Sequence, residues 1–167
     1  MPEQGAAHAW QIGRGRHAER DADARVLVST YMSSPVITIA ADTPVAGAMA
    51  AMSEYRVHHL LLHDRDRIVA IVSDRDLHRH AGSRAGTQRA TRADDAALRH
   101  PVYRLATYGL ITVSAHATIE EAAALVLERG VSALPVTDGD DGIVGMITTR
   151  DLLRGLLTCA LPGSAVA

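Results

Sequence analysis

The chain has 167 residues, 47% of them apolar, and a formal charge of −2 at pH 7. This is enough for one domain or for two small halves sharing a core, and without lysine or a strong basic cluster it lacks the electrostatic footprint of a nucleic-acid binder. One cysteine, Cys159, excludes an intramolecular disulfide and a cysteine-based zinc site; with no apolar stretch of about 20 residues and no apolar signal core, the sequence reads as cytoplasmic, without a membrane span.

Residues 1–25 mix Ala, Gly, Arg, Asp and His without periodicity and are expected to form a flexible tail. A first unit, 26–80, begins with a strand around 37–40. Val45, Ala48, Met49 and Met52 then recur at the i, i+3, i+4, i+7 spacing of a helix, with Thr43 as the expected N-cap and Pro44 as the first helical position. Two apolar runs, VHHLLLH and IVAIV, flank the polar turn DRDR and predict a hairpin, after which SDRDL (73–77) opens a second helix. Residues 81–100, rich in Gly, Ala, Thr and Arg, predict a linker.

The second unit, 101–157, repeats this order. It has a strand around 111–114 and a helix carrying Ile119, Ala122, Ala123 and Val126 on one face. Thr118 and Glu121 form a predicted capping box, and Gly130 is the expected stop. VSALPVT and IVGMI flank DGDDG as a second hairpin, and TTRDL (148–152) opens the last helix. Residues 158–167 complete the chain as a tail. Residues 38–64 align with 112–138, and 68–79 with 143–154, slipping by one residue in the turn. The fold class is therefore α/β (α+β), two βαββα repeats. A single unit would bury too little to stand alone, so the copies are expected to face each other about a pseudo-twofold axis.

In each copy a Ser or Thr ends the last strand and an Asp follows three residues on: Ser73 with Asp76, and Thr148 with Asp151. This is an ordinary helix start, with a cap and a first-turn carboxylate. The same geometry offers free N–H groups and a hydroxyl to a phosphate, while a carboxylate can accept both protons of a ribose cis-diol. Arg75 and Arg150 stand between, suited to phosphate oxygens or to a neighbouring subunit.

The stretches MSSPVITIAADTPVAGAMAAMSEYRVHHLLLHDRDRIVAIVSDRDL and ITVSAHATIEEAAALVLERGVSALPVTDGDDGIVGMITTRDL resemble the two halves of a tandem cystathionine β-synthase (CBS) domain pair, over roughly residues 26–157. The resemblance implies a pair that dimerises into a flat disc and binds an adenosine compound in the clefts between its halves, acting as a sensor without catalysis. The implied ligands are AMP, ADP or ATP first, then S-adenosylmethionine or NAD, with no obligatory cofactor. The implied ribose carboxylates are Asp76 and Asp151, and the phosphate-side hydroxyls Ser73 and Thr148. Thr38 and Thr112 fall on the adenine side, and 130–135, ending at Pro135, shapes the base pocket. The first copy departs from the pattern, with Arg56 in place of Gly130, Leu61 in place of Pro135 and Ala70 in place of Gly145. The cleft holding Asp151 is accordingly the expected principal one. Tyr103 and Tyr108, in a run that replaces the usual start of the second copy, are candidates to stack on a base.

Two other readings bear on function. His58, His59 and His63 cluster, but on a strand the first two point to opposite faces, and His59 and His63 lie about 13 Å apart, too far to chelate one ion. No phosphate loop or nucleophile elbow accompanies the repeats. A ligand-free dimerisation or partner-docking module stays open beside the nucleotide sensor.

Overall fold

Short apolar runs make strands that pack against helices, an inner strand of each sheet with consecutive residues buried, and both repeats do this in the same order. The computed structural model describes residues 25–82, 91–139 and 142–160. Residues 1–24 of the predicted N-terminal tail, 83–90 of the linker, 140–141 of the second hairpin and 161–167 of the predicted C-terminal tail lie outside the described residues.

The first repeat gives α1 (Val28–Tyr31), β1 (Thr38–Ala40), α2 (Val45–Tyr55), β2 (His59–Asp64), β3 (Arg67–Ser73) and α3 (Asp74–Ala81). Next come α4 (Arg92–Leu98), a 3-10 turn at Val102–Arg104 and β4 (Thr107–Tyr108). The second repeat continues with β5 (Val113–Ser114), α5 (Ile119–Arg129), β6 (Ala133–Asp138), β7 (Gly142–Thr148) and α6 (Thr149–Ala160). One sheet runs β1-β2-β3-β4 and the other β5-β6-β7. In each, the first strand is parallel to its neighbour and the hairpin is antiparallel, with one register irregularity near the turn.

The helix faces match their sequence spacing. Val45, Ala48 and Met52 of α2 are buried, as are Ile119, Ala122 and Val126 of α5. Thr118 and Glu121 form the capping box, and Gly130 ends α5 in the left-handed region at φ 64°. At the corresponding end of α2, Arg56 takes the same conformation at φ 54°, one that a side chain with a Cβ adopts at some cost.

Two local expectations are corrected. Pro44, not Thr43, is the N-cap of α2, and no side chain caps that helix. The amide of Val45 instead donates to the carbonyl of His100 at 2.9 Å, so the end of the linker supplies a cap that no neighbouring residue could. The linker is also not featureless: α4 lies within it, started by a capping box of Thr91 and Asp94.

The two halves exchange their leading segments. Val28 is fully buried in the core of the second half, with Val113, Ile119, Leu134 and Ile147. Val102 is fully buried in the core of the first, with Val45, Leu60, Val72 and Leu77. The backbone bonds are paired in the same way. Val28 N donates to Ala117 O and Ser29 N to Ala115 O, while Val102 N donates to Thr43 O and Tyr103 N to Ala41 O, all at 2.8–3.0 Å. At the sheet edges, β4 pairs with β3, and Ser33 bridges Met146 of β7. Each contact has its counterpart, as a pseudo-twofold relation requires.

Gly145 permits the second of these edges. A Cβ there would lie 2.6 Å from Met32 Sδ and 3.1 Å from Ser33 O. Gly145→Ala is expected to cost about 1–3 kcal/mol by overpacking. Gly142→Ala, with nothing within 4 Å of its Cβ position, should stay within about 0.5 kcal/mol of wild type. Urea unfolding of the two variants checks this; equal stabilities would contradict the tight crossing of the leading segment at β7.

Candidate functional site: the cleft between the repeats

The repeated phrase begins each last helix as its residue types dictate. Ser73 ends β3 and caps α3: its hydroxyl donates to Asp76 Oδ2 and accepts from the Asp76 amide, while the Ser73 amide also donates to Oδ2. Thr148 repeats this with Asp151: the hydroxyl donates at 2.6 Å and the Thr148 amide at 3.0 Å, both to Oδ2, and the Asp151 amide returns a bond at 3.4 Å. Capping therefore accounts for one oxygen of each carboxylate. The other, Oδ1 of Asp76, lies 3.6 Å from Nη1 of the exposed Arg79, the carboxylate itself being part-buried.

Ser73 and Asp76 open onto a cavity of about 210 Å³ between the halves, together with His59, Ile71, Thr107 and residues 130–133. The first half thus contributes the hydroxyl and the carboxylate. The second half contributes β4 and the glycine-bearing turn that leads into β6. A hydrogen bond crosses the cleft here, His59 Nε2 to Ser132 Oγ at 3.1 Å.

The remaining predicted residues fall around this framework. Arg75 and Arg150 are exposed one residue before each carboxylate. Thr38 starts β1 and is exposed, paired in register with Leu61. Thr112 is exposed just before β5, and Pro135 is buried within β6, opposite Met146. Thr38, Thr112 and Pro135 do not line the cavity that holds Asp76. Tyr103 and Tyr108 do not line it either. They border a groove of about 540 Å³ with His63, Asp64 and Arg65, at the hairpin-turn end of the first sheet, where the Tyr108 hydroxyl donates to the Tyr103 carbonyl at 3.3 Å.

Charge around the Asp76 cleft is largely paired. His58 Nδ1 lies 2.7 Å from Asp74 Oδ2. Burial acts to raise the Asp74 carboxyl, but hydrogen bonds from His58 and from the Arg75 amide outweigh it and hold the group below its usual range. His59 is held below its ordinary 6.5, chiefly by burial. Sequence reasoning weighed His59 only as a metal ligand, because strand alternation alone does not show that it faces the cleft. Among the described residues no group of three or more His, Cys, Asp or Glu is placed to hold a metal ion, and no helix is long and apolar enough to cross a membrane.

A family model for the CBS domain matches residues 28–82 and again 102–158. The chain belongs to the CBS domain family. It is 29% identical over 139 residues to a CBS domain-containing protein of Dictyostelium discoideum, covering 83% of this chain and 96% of that one. Among solved structures it resembles the CBS domain pair of protein MJ0100 in complex with 5-methylthioadenosine and S-adenosyl-L-methionine. That likeness has a TM-score of 0.66 at 20% identity and covers 82% of this chain and 99% of the other. It also resembles protein MJ1225 from Methanocaldococcus jannaschii, with a TM-score of 0.65, 24% identity and coverage of 80% of this chain and 51% of that one. These structural likenesses show the fold of a CBS pair, two βαββα repeats with exchanged leading segments in this chain.

Proposed function

We propose that this CBS pair is a regulatory module, without catalysis, that senses an adenosine-containing nucleotide in the cleft between its repeats. The observation that carries the reading is the cavity shared by Ser73 and Asp76 of one half and residues 130–133 of the other. Asp76 accepts the ribose hydroxyls through Oδ1, the oxygen that capping leaves over. Ser73 and Arg75 face the phosphate, and Val131 and Ala133 cover the base. AMP, ADP or ATP are the leading ligands, ahead of S-adenosylmethionine and NAD. The neighbouring MJ0100 pair, which was solved with two adenosine compounds, supports the ligand class.

This reading reverses the order of the two clefts expected from sequence. Comparing the copies one by one favours Asp151, with Thr148 and Arg150, because the second repeat keeps Gly130 and Pro135. In the fold, the turn carrying Gly130 lies against Asp76. The Asp76 cleft therefore combines a complete ribose-phosphate side with the glycine-bearing turn of the second repeat, and the Asp151 cleft is secondary.

A panel of AMP, ADP, ATP, NAD and S-adenosylmethionine in a thermal-shift assay tests this. At a hundredfold excess over Kd, binding contributes about 2.7 kcal/mol, a Tm rise of about 5–10 °C for a chain of this size. Asp76→Ala should weaken the best ligand at least about tenfold through loss of charge-assisted hydrogen bonds, and Asp151→Ala should weaken it less. If no compound raises Tm at millimolar concentration and calorimetry is flat, the ligand-free docking module becomes the better reading.

We also propose that the module is a cytoplasmic homodimer joined through its helices. Leu127 of α5 is 83% exposed, and Leu153, Leu157 and Tyr55 also project from α6 and α2. Apolar side chains grouped on helices in this way mark an association surface. Light scattering at tens of micromolar should report twice the chain mass; a strict monomer, with or without nucleotide, would contradict it.

A further inference from the structure

Capping and the repeat leave one polar side chain of the cleft unexplained. His59 opens β2 directly opposite Ser73 of β3, and its ring lines the cavity. Nε2 bonds to Ser132 Oγ of the other half. Nδ1 is buried and finds no hydrogen-bond partner among the described residues. The corresponding position in the second repeat is Ala133, opposite Thr148, so an ionisable ring at this point is particular to the first repeat.

The charges facing His59 are few. Asp74 and Asp76 at the start of α3 and His58 beside it act on the ring, while residues 130–133 from the second half bring no ionisable side chain. Asp74 is engaged by His58 and Asp76 by the Ser73 cap and Arg79. A protonated Nδ1 would be a buried donor with nothing to accept from it, which is why burial favours the neutral ring. An anion in the cavity supplies the missing acceptor and also meets two carboxylates that repel it.

We propose that His59 makes the Asp76 cleft selective for phosphorylated nucleosides, its ring turning in the cavity to donate from Nδ1 to the ligand phosphate and taking up a proton as the ligand binds. The inference rests on the reading of this cleft as a nucleotide site. A phosphate beside the ring raises the pKa of His59 from its depressed free value. Affinity then strengthens as pH falls through the window between the raised bound pKa and the lower free pKa, and levels off below it. Adenosine, which carries no phosphate, gains nothing from that proton, and neither does the sulfonium of S-adenosylmethionine.

The test is calorimetric titration with AMP and with adenosine from pH 8 to pH 5.5, on wild type, His59→Gln and His59→Asn. The AMP phosphate itself titrates near pH 6, so the quantity read is the difference between wild type and variant, in which that titration cancels. Wild type should gain up to about tenfold in AMP affinity per pH unit over the variants within the window, with adenosine flat throughout. Proton NMR of the wild-type imidazoles adds a readout that needs no variant to fold: the His59 pKa should rise on saturation with AMP and stay unchanged with adenosine. If AMP binds but variant and wild type share one pH profile, or the His59 pKa does not move, the inference falls while the nucleotide reading stands. If neither compound binds wild type at any pH, the inference falls, and the nucleotide reading falls with it when the rest of the panel is also silent.

Discussion

The exchange of leading segments between the repeats is the constraint on which the rest of the structure depends. Neither half completes its core from its own residues: the second is closed by Val28 and the first by Val102. Each half also satisfies backbone groups of the other, through Val28 N to Ala117 O and Val102 N to Thr43 O, and His100 O at the end of the linker caps Val45. A buried backbone donor left without a partner is costly, so neither repeat can open fully without exposing part of both cores. The cleft is therefore fixed by the same contacts that stabilise the protein, and its two walls are held in one relation.

That arrangement also underlies the proposed reordering of the two clefts, which a residue-by-residue comparison of the repeats does not suggest. The repeats differ where sequence matters most for a base pocket, at Arg56 against Gly130 and at Leu61 against Pro135. In a crossed pair, a weakness in one copy is felt at the cleft it shares with the other. Ser73 and Asp76 belong to the copy with the poorer base-side pattern, and they face the better one. The asymmetry between the copies sets Ser73 and Asp76 against the turn that carries Gly130, with His59 as an ionisable ring where the corresponding position, Ala133, has none.

Much of the fold is legible in the sequence because it is local. The i, i+3, i+4, i+7 stripes of α2 and α5, the Thr118–Glu121 box, the left-handed Gly130 and the two hairpins all follow from side chains within a few residues of one another. What escapes is non-local. Thr43 looks like an N-cap until His100 O takes over the bond from a distant part of the chain. Val28 and Val102 are single apolar residues in short segments, and nothing in their periodicity says that each belongs to the other half. The Thr91–Asp94 box that starts α4 was readable, but the composition of the linker masks it. The Ser/Thr and Asp pairs are legible as pairs; residues 130–133, the cavity partners of Ser73 and Asp76, lie across the crossing, where only the fold brings them together.

A cleft built from both repeats makes a direct demand on hydrogen exchange. With AMP bound at saturation, the amides around 73–76 at the start of α3 and those at 130–133 before β6 should slow together, since one ligand touches both walls and exchange reports local opening. Protection of both segments by AMP, and its loss from both in Asp76→Ala, is the result the proposed nucleotide site predicts. Protection confined to one of the two segments, or unchanged exchange at both while AMP binds, would place the ligand elsewhere and contradict the shared cleft.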